Sequence, residues 1–230
     1  MVRISDRLRT VAHMCEKGAV VADIGTDHGY LPIYLVQEGI ARSAIAMDLR
    51  KGPLDKAKKH ICDNCLEDRI QTRLSDGLEK LSANEADIIT ICGMGGRLIA
   101  DIVTKGMNTT LIVSPQSEVG DFRHFLVSQR LVVDDEKMLK EDGKYYFIIK
   151  CRKSDENVYS EYSETQYQYG WKLLENKDKT LYEYLIKEKE TNDGISNSLK
   201  KDESNPTVKL RLQQLSQKNN IIMDALSYYD

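Results

Sequence analysis

Short apolar runs alternate with longer amphipathic segments through the first two thirds of the chain. The strand-length runs cover residues 20–24, 43–48, 70–75, 86–92 and 109–114. Most of them are apolar at successive positions, as in Ile88 to Ile91, which is typical of strands buried on both faces of a parallel sheet. The alternation therefore predicts an α/β domain built on a doubly wound, mostly parallel sheet.

Helical segments and a final hairpin complete this pattern. Helices are expected over residues 31–37, 51–66, 95–105 and 119–128. Residues 131–137 and 145–151 are predicted to form an antiparallel pair of strands, because the polar, glycine-containing segment 141–144 between them is typical of a turn.

The pattern changes from about Tyr159 onward. Two stripes of apolar residues with heptad-like spacing follow, the first formed by Trp171, Leu174, Leu181 and Leu185 and the second by Val208, Leu212, Leu215, Ile222 and Leu226. They predict an antiparallel, coiled-coil-like helical hairpin, with Asp178 and Asn219 interrupting its seams. Helix breaks are expected at residues 191–194 and 202–206. We therefore expect one domain over residues 1–153 and a helical appendage over residues 154–230.

Composition limits the class of protein. The chain has 230 residues, of which 41% are hydrophobic, enough for one sizeable core. It has neither a long apolar run nor an apolar N-terminal signal, so we expect a cytoplasmic protein with no membrane partner. Five cysteines fit a reducing compartment, and we interpret Cys62 and Cys65 as helix cysteines in or near the core. No bound metal is expected.

The candidate site lies where strands end in acidic residues. The first strand carries Asp23 and runs into a turn that contains Gly25 and Gly29, whose flexibility allows backbone N–H groups to approach a ligand. Asp48 ends the second strand, near the offset at which an acidic residue meets ribose hydroxyls in nucleotide-binding folds, and Asp76 follows the third. A carboxylate at Asp23 suits a cationic amine. This combination points to S-adenosylmethionine.

Four separate segments carry a family resemblance, and they occur in order at residues 4–12, 20–30, 92–96 and 114–118. Together they resemble the bacterial TrmK family, which uses S-adenosylmethionine to methylate N1 of adenine 22 in tRNA. The resemblance implies a Rossmann-like class I methyltransferase fold over most of residues 1–152. The expected cofactor-binding residues are Asp23, Gly25, Thr26, Asp27, His28, Gly29, Asp48, Asp76, Gly77, Cys92, Gly93 and Met94.

The acceptor side of the site is defined by chemistry more than by pattern. Adenine N1 attacks through an in-plane lone pair, so no residue has to remove a proton first. Asp6 is the candidate for contacting the amino group of the target adenine, and Tyr30 either stacks on the base or packs in the core. The glycines of 93–96 are expected to let the base approach the cofactor. A paired target base would have to be flipped out.

Charge is unusual for a protein that resembles an RNA enzyme. The net charge is −3, and residues 154–230 carry a charge of −4. Arginines concentrate near the N-terminus, and the candidates for contacting tRNA phosphates are Arg3, Arg7, Arg9 and Arg97. The helical appendage would serve either tRNA or protein contact. The sequence leaves open a methyltransferase of the same fold acting on a small molecule or protein, and a cofactor-binding module without activity. It does not indicate an oligomeric state.

Overall fold

The computed structural model describes residues 2–104, 109–154, 161–200 and 204–230. The chain divides into two compact units, residues 1–159 and 160–230. The helices and strands of the first unit are α1 (Asp6–His13), β1 (Ala19–Ile24), α2 (Tyr30–Gln37), β2 (Ala41–Asp48), α3 (Lys51–Asp63), β3 (Ile70–Leu74), β4 (Ile88–Cys92), α4 (Gly96–Val103), β5 (Thr110–Ser114), α5 (Val119–Ser128), β6 (Leu131–Glu141) and β7 (Lys144–Lys153).

The seven strands of this unit form one sheet in the order β3-β2-β1-β4-β5-β7-β6. The first five strands are parallel, and β7 pairs antiparallel with both β5 and β6. The chain order reverses between β1 and β4, which is where ligands bind in open α/β sheets. The Rossmann-like, mostly parallel fold predicted from the sequence is confirmed.

The core explains why these segments fold as they do. Strand β4 is buried at Ile88, Ile89 and Ile91, as its continuous apolar run predicts. Helix α2 buries five of its eight residues between the sheet and its neighbours. Both bounds of every parallel strand lie within three residues of their predicted positions. Long apolar runs define the buried part of a strand well.

The final β6–β7 hairpin supports the first helix. Ser5 caps α1 by accepting a hydrogen bond from the Leu8 N–H, and a carboxylate oxygen of Glu141 accepts from the N–H groups of Asp6 (2.6 Å) and Arg7 (3.3 Å). A carboxylate is favourable at this end of a helix, where unpaired N–H groups carry positive partial charge. The first helix of the unit is thereby joined to its last hairpin.

A fully buried ion pair lies behind the antiparallel strands. Arg123 Nε on α5 donates to Glu136 Oε1 on β6 at 2.8 Å, and both side chains have no exposed surface. The Arg123 guanidinium also lies 5.2 Å from the centre of the Phe147 ring. Because neither side chain is exposed to solvent, each charge is a strong electrostatic partner of the other.

The second unit is helical. Its helices are α6 (Glu164–Tyr169), α7 (Trp171–Glu175), α8 (Lys179–Leu199) and α9 (Pro206–Ser227). Helices α8 and α9 pack against each other and are antiparallel, since the Tyr229 hydroxyl after the end of α9 donates to the carbonyl of Asp178 before the start of α8. Leu181 and Leu185 of α8, and Leu215, Ile222 and Ala225 of α9, are buried along this hairpin.

Two details of the predicted hairpin are wrong. The segment 191–194 does not end a helix, because α8 continues through it: Asn192 donates to Asn219, which in turn donates to Asp193, so both polar side chains are satisfied within the hairpin. A single glycine in a helix costs only about 1 kcal/mol, which these contacts offset. Asp178 does not interrupt a seam either; it caps the start of α8.

Two further expectations can be compared with the described residues. Trp171 and Leu174 belong to the separate helix α7, so the first stripe spans two helices. Cys62 and Cys65 are both exposed, which corrects their placement in or near the core. Among residues 2–104, 109–154, 161–200 and 204–230, no helix is long and apolar enough to span a bilayer, and no cluster of three or more His, Cys, Asp or Glu side chains is arranged to hold a metal ion.

Candidate active site

One cleft of about 520 Å³ lies at the carboxyl ends of the parallel strands. Its volume is within the usual range for sites that enclose a small molecule. It brings together most of the predicted site residues, namely Arg7, Asp23, Gly25, Thr26, Asp27, His28, Tyr30, Asp48, Asp76, Gly77, Cys92, Gly93 and Met94. Of the predicted cofactor residues, Gly29 alone does not line it. It starts α2 with φ +75° and packs on Ala57, where a side chain would be crowded.

The loop after β1 is compact and internally bonded. Gly25 has φ +71°, and a side chain there would collide with the methyl group of Met94. The N–H groups of Gly25 and Thr26 both donate to the carbonyl of Met47 at 2.9 Å, and that of Gly29 donates to Thr26. The Asp27 N–H donates to Asp48. Four of the five N–H groups of residues 25–29 thus have protein acceptors, so the expectation that this loop offers them to a ligand is not supported.

Asp23 is a buried acid of the cleft. Its side chain is 5% exposed, and Thr90 Oγ1 donates to its Oδ1 at 2.7 Å. Burial raises the pKa of Asp23 to about 6, while the hydrogen bond from Thr90 partly opposes this change. A carboxylate whose charge is poorly solvated gains strongly from a cationic partner. Asp23 therefore favours a ligand with an ammonium group.

Asp48 ends β2 and is also only 5% exposed. Its Oδ1 accepts from the Arg50 N–H at 2.8 Å and its Oδ2 accepts from the Asp27 N–H at 3.3 Å. These bonds fix the carboxylate at the wall of the cleft and tie the loop after β1 to the end of β2. Each oxygen keeps a further lone pair, so Asp48 can still accept from two neighbouring hydroxyls.

The segment after β3 and the turn after β4 complete the floor and wall. Asp76 and Gly77 line the cleft beside Leu49, Leu98 and Ile102. Gly93 requires the flexibility of glycine, since its φ is +81°. Gly95 and Gly96 have another reason to be glycine: a Cβ would lie 2.9 Å from Ser117 Oγ or 2.8 Å from the Glu118 carbonyl. These two glycines pack against the 115–118 segment and, unlike Gly93, do not line the cleft.

Arg7 enters the cleft from α1. Its guanidinium lies 4.9 Å from the centre of the Tyr146 ring, an arrangement that holds the cation by its attraction to the aromatic face. Its Nε and Nη1 atoms are buried and have no hydrogen-bond partner among the described residues. Buried donors without acceptors are costly, so their presence at a cleft wall indicates an anionic or carbonyl group of a ligand.

The other predicted arginines and Asp6 lie elsewhere. Asp6 is exposed, forms an ion pair with Arg9 (3.0 Å), and does not line the cleft. The structure therefore does not bring Asp6 to the site in the way the sequence suggested. Arg3 and Arg97 are exposed on the surface, Arg97 being next to the cleft residue Leu98.

Tyr30 borders the cleft at the start of α2. Its side chain is 39% exposed, so it is not a core residue. One face of its ring stacks on His60 of α3, with the ring centres 5.1 Å apart and the planes 15° from parallel. His28 lies against both rings, at 5.6 Å from Tyr30 and 6.0 Å from His60.

Sequence reasoning missed His60 and the apolar residues Leu49, Leu98 and Ile102. His60 is separated from Tyr30 by the rest of α2, by β2 and by most of α3, and no local pattern marks it. Leu49 directly follows the acid that ends β2, and at 63% exposure it is an exposed leucine beside a predicted site. Its position directly after Asp48 was the only feature of the sequence that could have indicated Leu49 as a residue of the cleft.

Comparison with known proteins agrees with this arrangement. Residues 4–149 match the methyltransferase domain family. The chain is 40% identical over 162 residues to the tRNA (adenine(22)-N(1))-methyltransferase of Bacillus subtilis, which covers 68% of each protein.

Solved structures extend the similarity to nearly the whole chain. The crystal structure of the Bacillus subtilis tRNA methyltransferase TrmK has 32% identity and a TM-score of 0.85, covering 98% of this chain and 99% of that one. A putative tRNA methyltransferase of Streptococcus pneumoniae in complex with S-adenosyl-L-methionine has 31% identity and a TM-score of 0.84, covering 97% and 100%. With the acidic strand ends and the cleft in place, these similarities show that the chain belongs to the TrmK family of tRNA (adenine(22)-N(1))-methyltransferases.

Proposed function

We propose that this protein transfers a methyl group from S-adenosylmethionine to N1 of adenine 22 in tRNA. One observation carries the proposal in a chain of this family. Three acidic residues from adjacent strand ends, Asp23, Asp48 and Asp76, meet in one cleft that has the right size for the cofactor. Methyl transfer requires above all that the acceptor atom and the methyl carbon be held in line at short distance.

The acidic residues fit three parts of the cofactor. We assign Asp23 to the ammonium group, because it is a buried carboxylate that lacks a cationic partner among the described residues. Asp48, fixed by two backbone N–H groups, accepts from the ribose hydroxyls. Asp76 accepts from the adenine amine, and Leu49, Leu98 and Ile102 supply apolar surface for the ring.

The carboxylate of the cofactor needs donors, and Arg7 fits this role. The N–H groups of the loop after β1 are largely engaged, whereas Arg7 Nε and Nη1 are buried at the cleft without acceptors. A guanidinium binds a carboxylate through two parallel hydrogen bonds. We therefore assign Arg7 to the cofactor and not to an RNA phosphate, and leave Arg3, Arg9 and Arg97, which are exposed, as the proposed phosphate contacts.

The remaining side of the cleft suits the target base. Bound S-adenosylmethionine supplies an electrophilic methyl group on its sulfonium centre. Tyr30 offers a partly exposed aromatic ring and Met94 a polarisable apolar surface at the same opening. Neutral adenine N1 carries its own lone pair, so these residues need only hold the base in place and exclude water. No side chain has to act as a general base.

Transfer of labelled methyl to unmodified bacterial tRNA tests the proposal. Wild-type protein and the Asp48→Ala variant are incubated with labelled S-adenosylmethionine and tRNA. The tRNA is then digested, and the modified nucleoside is identified by chromatography and mass spectrometry. We expect 1-methyladenosine with the wild type and a large reduction with the variant. A tRNA substrate in which adenine 22 is replaced by guanosine is the matched control and should accept no methyl. Methylation of that control, or of another atom, would contradict the assignment.

A further inference from the structure

An aromatic pair stands at the mouth of the cleft, and only one of its members borders the cleft itself. Tyr30 lines the opening, while His60 of α3 stacks on one face of the Tyr30 ring from outside. The ring centres are 5.1 Å apart with the planes 15° from parallel, an offset stacked geometry. One face of Tyr30 is thus covered by His60, and the ring keeps 39% of its surface exposed.

His60 is itself held by the loop after β1. Its Nδ1 lies 2.9 Å from the carbonyl oxygen of His28. A carbonyl oxygen only accepts hydrogen bonds, so Nδ1 must carry a proton and donate it. The plane of the His60 ring is thereby fixed by one hydrogen bond and by the stack on Tyr30. His28 belongs to the segment that lines the cleft, so the pair is anchored to the cofactor side of the site.

We propose that His60 is a positioning residue for the target base: it holds the ring of Tyr30 at the angle at which the flipped adenine stacks on its exposed face. The inference rests on the proposed function and goes beyond it by adding a residue that does not touch the cleft. A tyrosine on a helix surface rotates freely about two side-chain bonds. A stacked, hydrogen-bonded neighbour removes that freedom before the base arrives, so less entropy is lost on binding.

The neighbouring surface fits an RNA segment that delivers a flipped base. Lys56 and Lys59 lie within one turn of His60 on α3, and both are exposed without an ion pair among the described residues. Their charges would attract the phosphates on either side of the target nucleotide. The aromatic pair supplies the stacking contact, which no lysine provides.

Four variants test the role of His60. His60→Phe keeps a ring that can stack and loses the hydrogen bond, whereas His60→Asn keeps a short donor and loses the ring. His60→Ala loses both, and Tyr30→Ala removes the platform. Cys62→Ser, an exposed change two residues away on the same helix, is the matched control. For each protein, kcat and KM for tRNA, cofactor affinity by calorimetry and Tm are measured.

We expect Tyr30→Ala to lower kcat/KM for tRNA by roughly 5- to 150-fold, the range found when a base-stacking aromatic residue is removed. His60→Ala should give a smaller loss, on the order of tenfold at most because Tyr30 remains. His60→Phe should recover most of this loss and His60→Asn little of it. The cofactor affinity of the Tyr30 and His60 variants should equal that of the wild type. The Cys62→Ser protein should match the wild type in every measured quantity. A tRNA with fluorescent 2-aminopurine at position 22 should be quenched less by His60→Ala than by the wild type.

The double variant His60→Ala/Tyr30→Ala decides the question. A residue that acts only through Tyr30 has no effect once Tyr30 is gone, so the double variant should equal Tyr30→Ala alone. Additive losses would overturn the proposal, as would a His60→Ala protein with wild-type kcat/KM. Parallel losses of Tm and cofactor affinity with no rescue by phenylalanine would reduce His60 to a structural role. If the wild type itself did not methylate tRNA, the proposed function would fail instead, which is a separate result.

Discussion

Substituting Asp23 by asparagine should stabilise the cofactor-free protein while it weakens cofactor binding. The carboxyl group of Asp23 is buried, and its pKa is raised from 3.8 to about 6. In the unfolded chain the same group is solvated and ionises at its ordinary pKa. At neutral pH the folded protein therefore holds a negative charge that burial disfavours. Asparagine has nearly the same shape, and its carbonyl oxygen can still accept the hydrogen bond from Thr90.

The magnitude follows from the shift in pKa. A change of about two units corresponds to about 3 kcal/mol between the folded and unfolded states. Because the folded-state pKa is raised, the cost is absent below pH 3.8, where both states are protonated, and it develops as the pH rises toward 6. The free energy of unfolding of the wild type should thus fall over this interval through Asp23. In the asparagine variant this contribution is missing.

Thermal unfolding at several pH values measures the effect. At pH 7.5 the Asp23→Asn protein should unfold about 6–12 °C above the wild type, and the difference should shrink toward zero near pH 4. Asp101→Asn, an exposed acid on α4, is the matched control and should change Tm little at either pH. Calorimetry at pH 7.5 should show that cofactor affinity falls at least tenfold in the Asp23 variant, because a neutral amide replaces the partner of the ammonium group.

Two results would refute the reasoning. An Asp23→Asn protein that melts at or below the wild-type temperature at pH 7.5 would mean that the charge is not held at a cost. A stabilisation of equal size at pH 4 and pH 7.5 would mean that its origin is packing and not ionisation.

Wild-type cofactor affinity should also weaken below about pH 6, since a protonated Asp23 no longer attracts a cation.

Three more substitutions separate the roles of the other groups. Asp48→Ala should weaken cofactor binding at least tenfold, because the ribose hydroxyls lose a charged acceptor; unchanged affinity by calorimetry would remove Asp48 from the site. Arg7→Ala should weaken cofactor binding by about 10- to 100-fold, whereas Arg9→Ala on the same helix should not; equal affinities would return Arg7 to the phosphate contacts. Arg123→Met should lower the free energy of unfolding by about 3–5 kcal/mol because Glu136 keeps a buried charge, and adding Glu136→Leu should restore most of the loss; denaturant unfolding of both proteins decides this.

The sheet and its acidic edge were accessible to sequence reasoning for a simple reason. Buried parallel strands need continuous apolar runs, and Asp23, Asp48 and Asp76 each stand at or just beyond the end of such a run. Parallel strands place those ends at one edge of the sheet. The order of strands and acids along the sequence was therefore enough to predict that the three acids lie together. The resemblance of the motif segments then supplied the substrate and the target atom.

The sequence predicted less well what depends on contacts between distant elements. Arg7 was grouped with its exposed neighbours, and only the fold reveals that Tyr146 holds it at the cleft. Asn192 and Asp193 suggested a helix break because such polar residues are common at helix ends. Their partner Asn219 lies on another helix, so the sequence did not show that both side chains are satisfied within the hairpin. His60 had no local signal, since its contact with the ring of Tyr30 joins the distant helices α2 and α3. In each case tertiary partners decided what local preference left open.

The bond between Glu141 and the start of α1 has a consequence for protein synthesis. Asp6 and Glu141 are 135 positions apart, and a ribosome that adds 5–20 residues per second needs roughly 7 to 27 s to cover that distance. Strands β1 to β5 are completed within this time, but the N-terminus of α1 still lacks the carboxylate of Glu141, and Arg7 lacks the ring of Tyr146. A growing chain therefore carries the acidic half of the cleft before its cationic wall can form. With Arg7 proposed to bind the cofactor, we expect full affinity only when the last hairpin of the unit has left the ribosome.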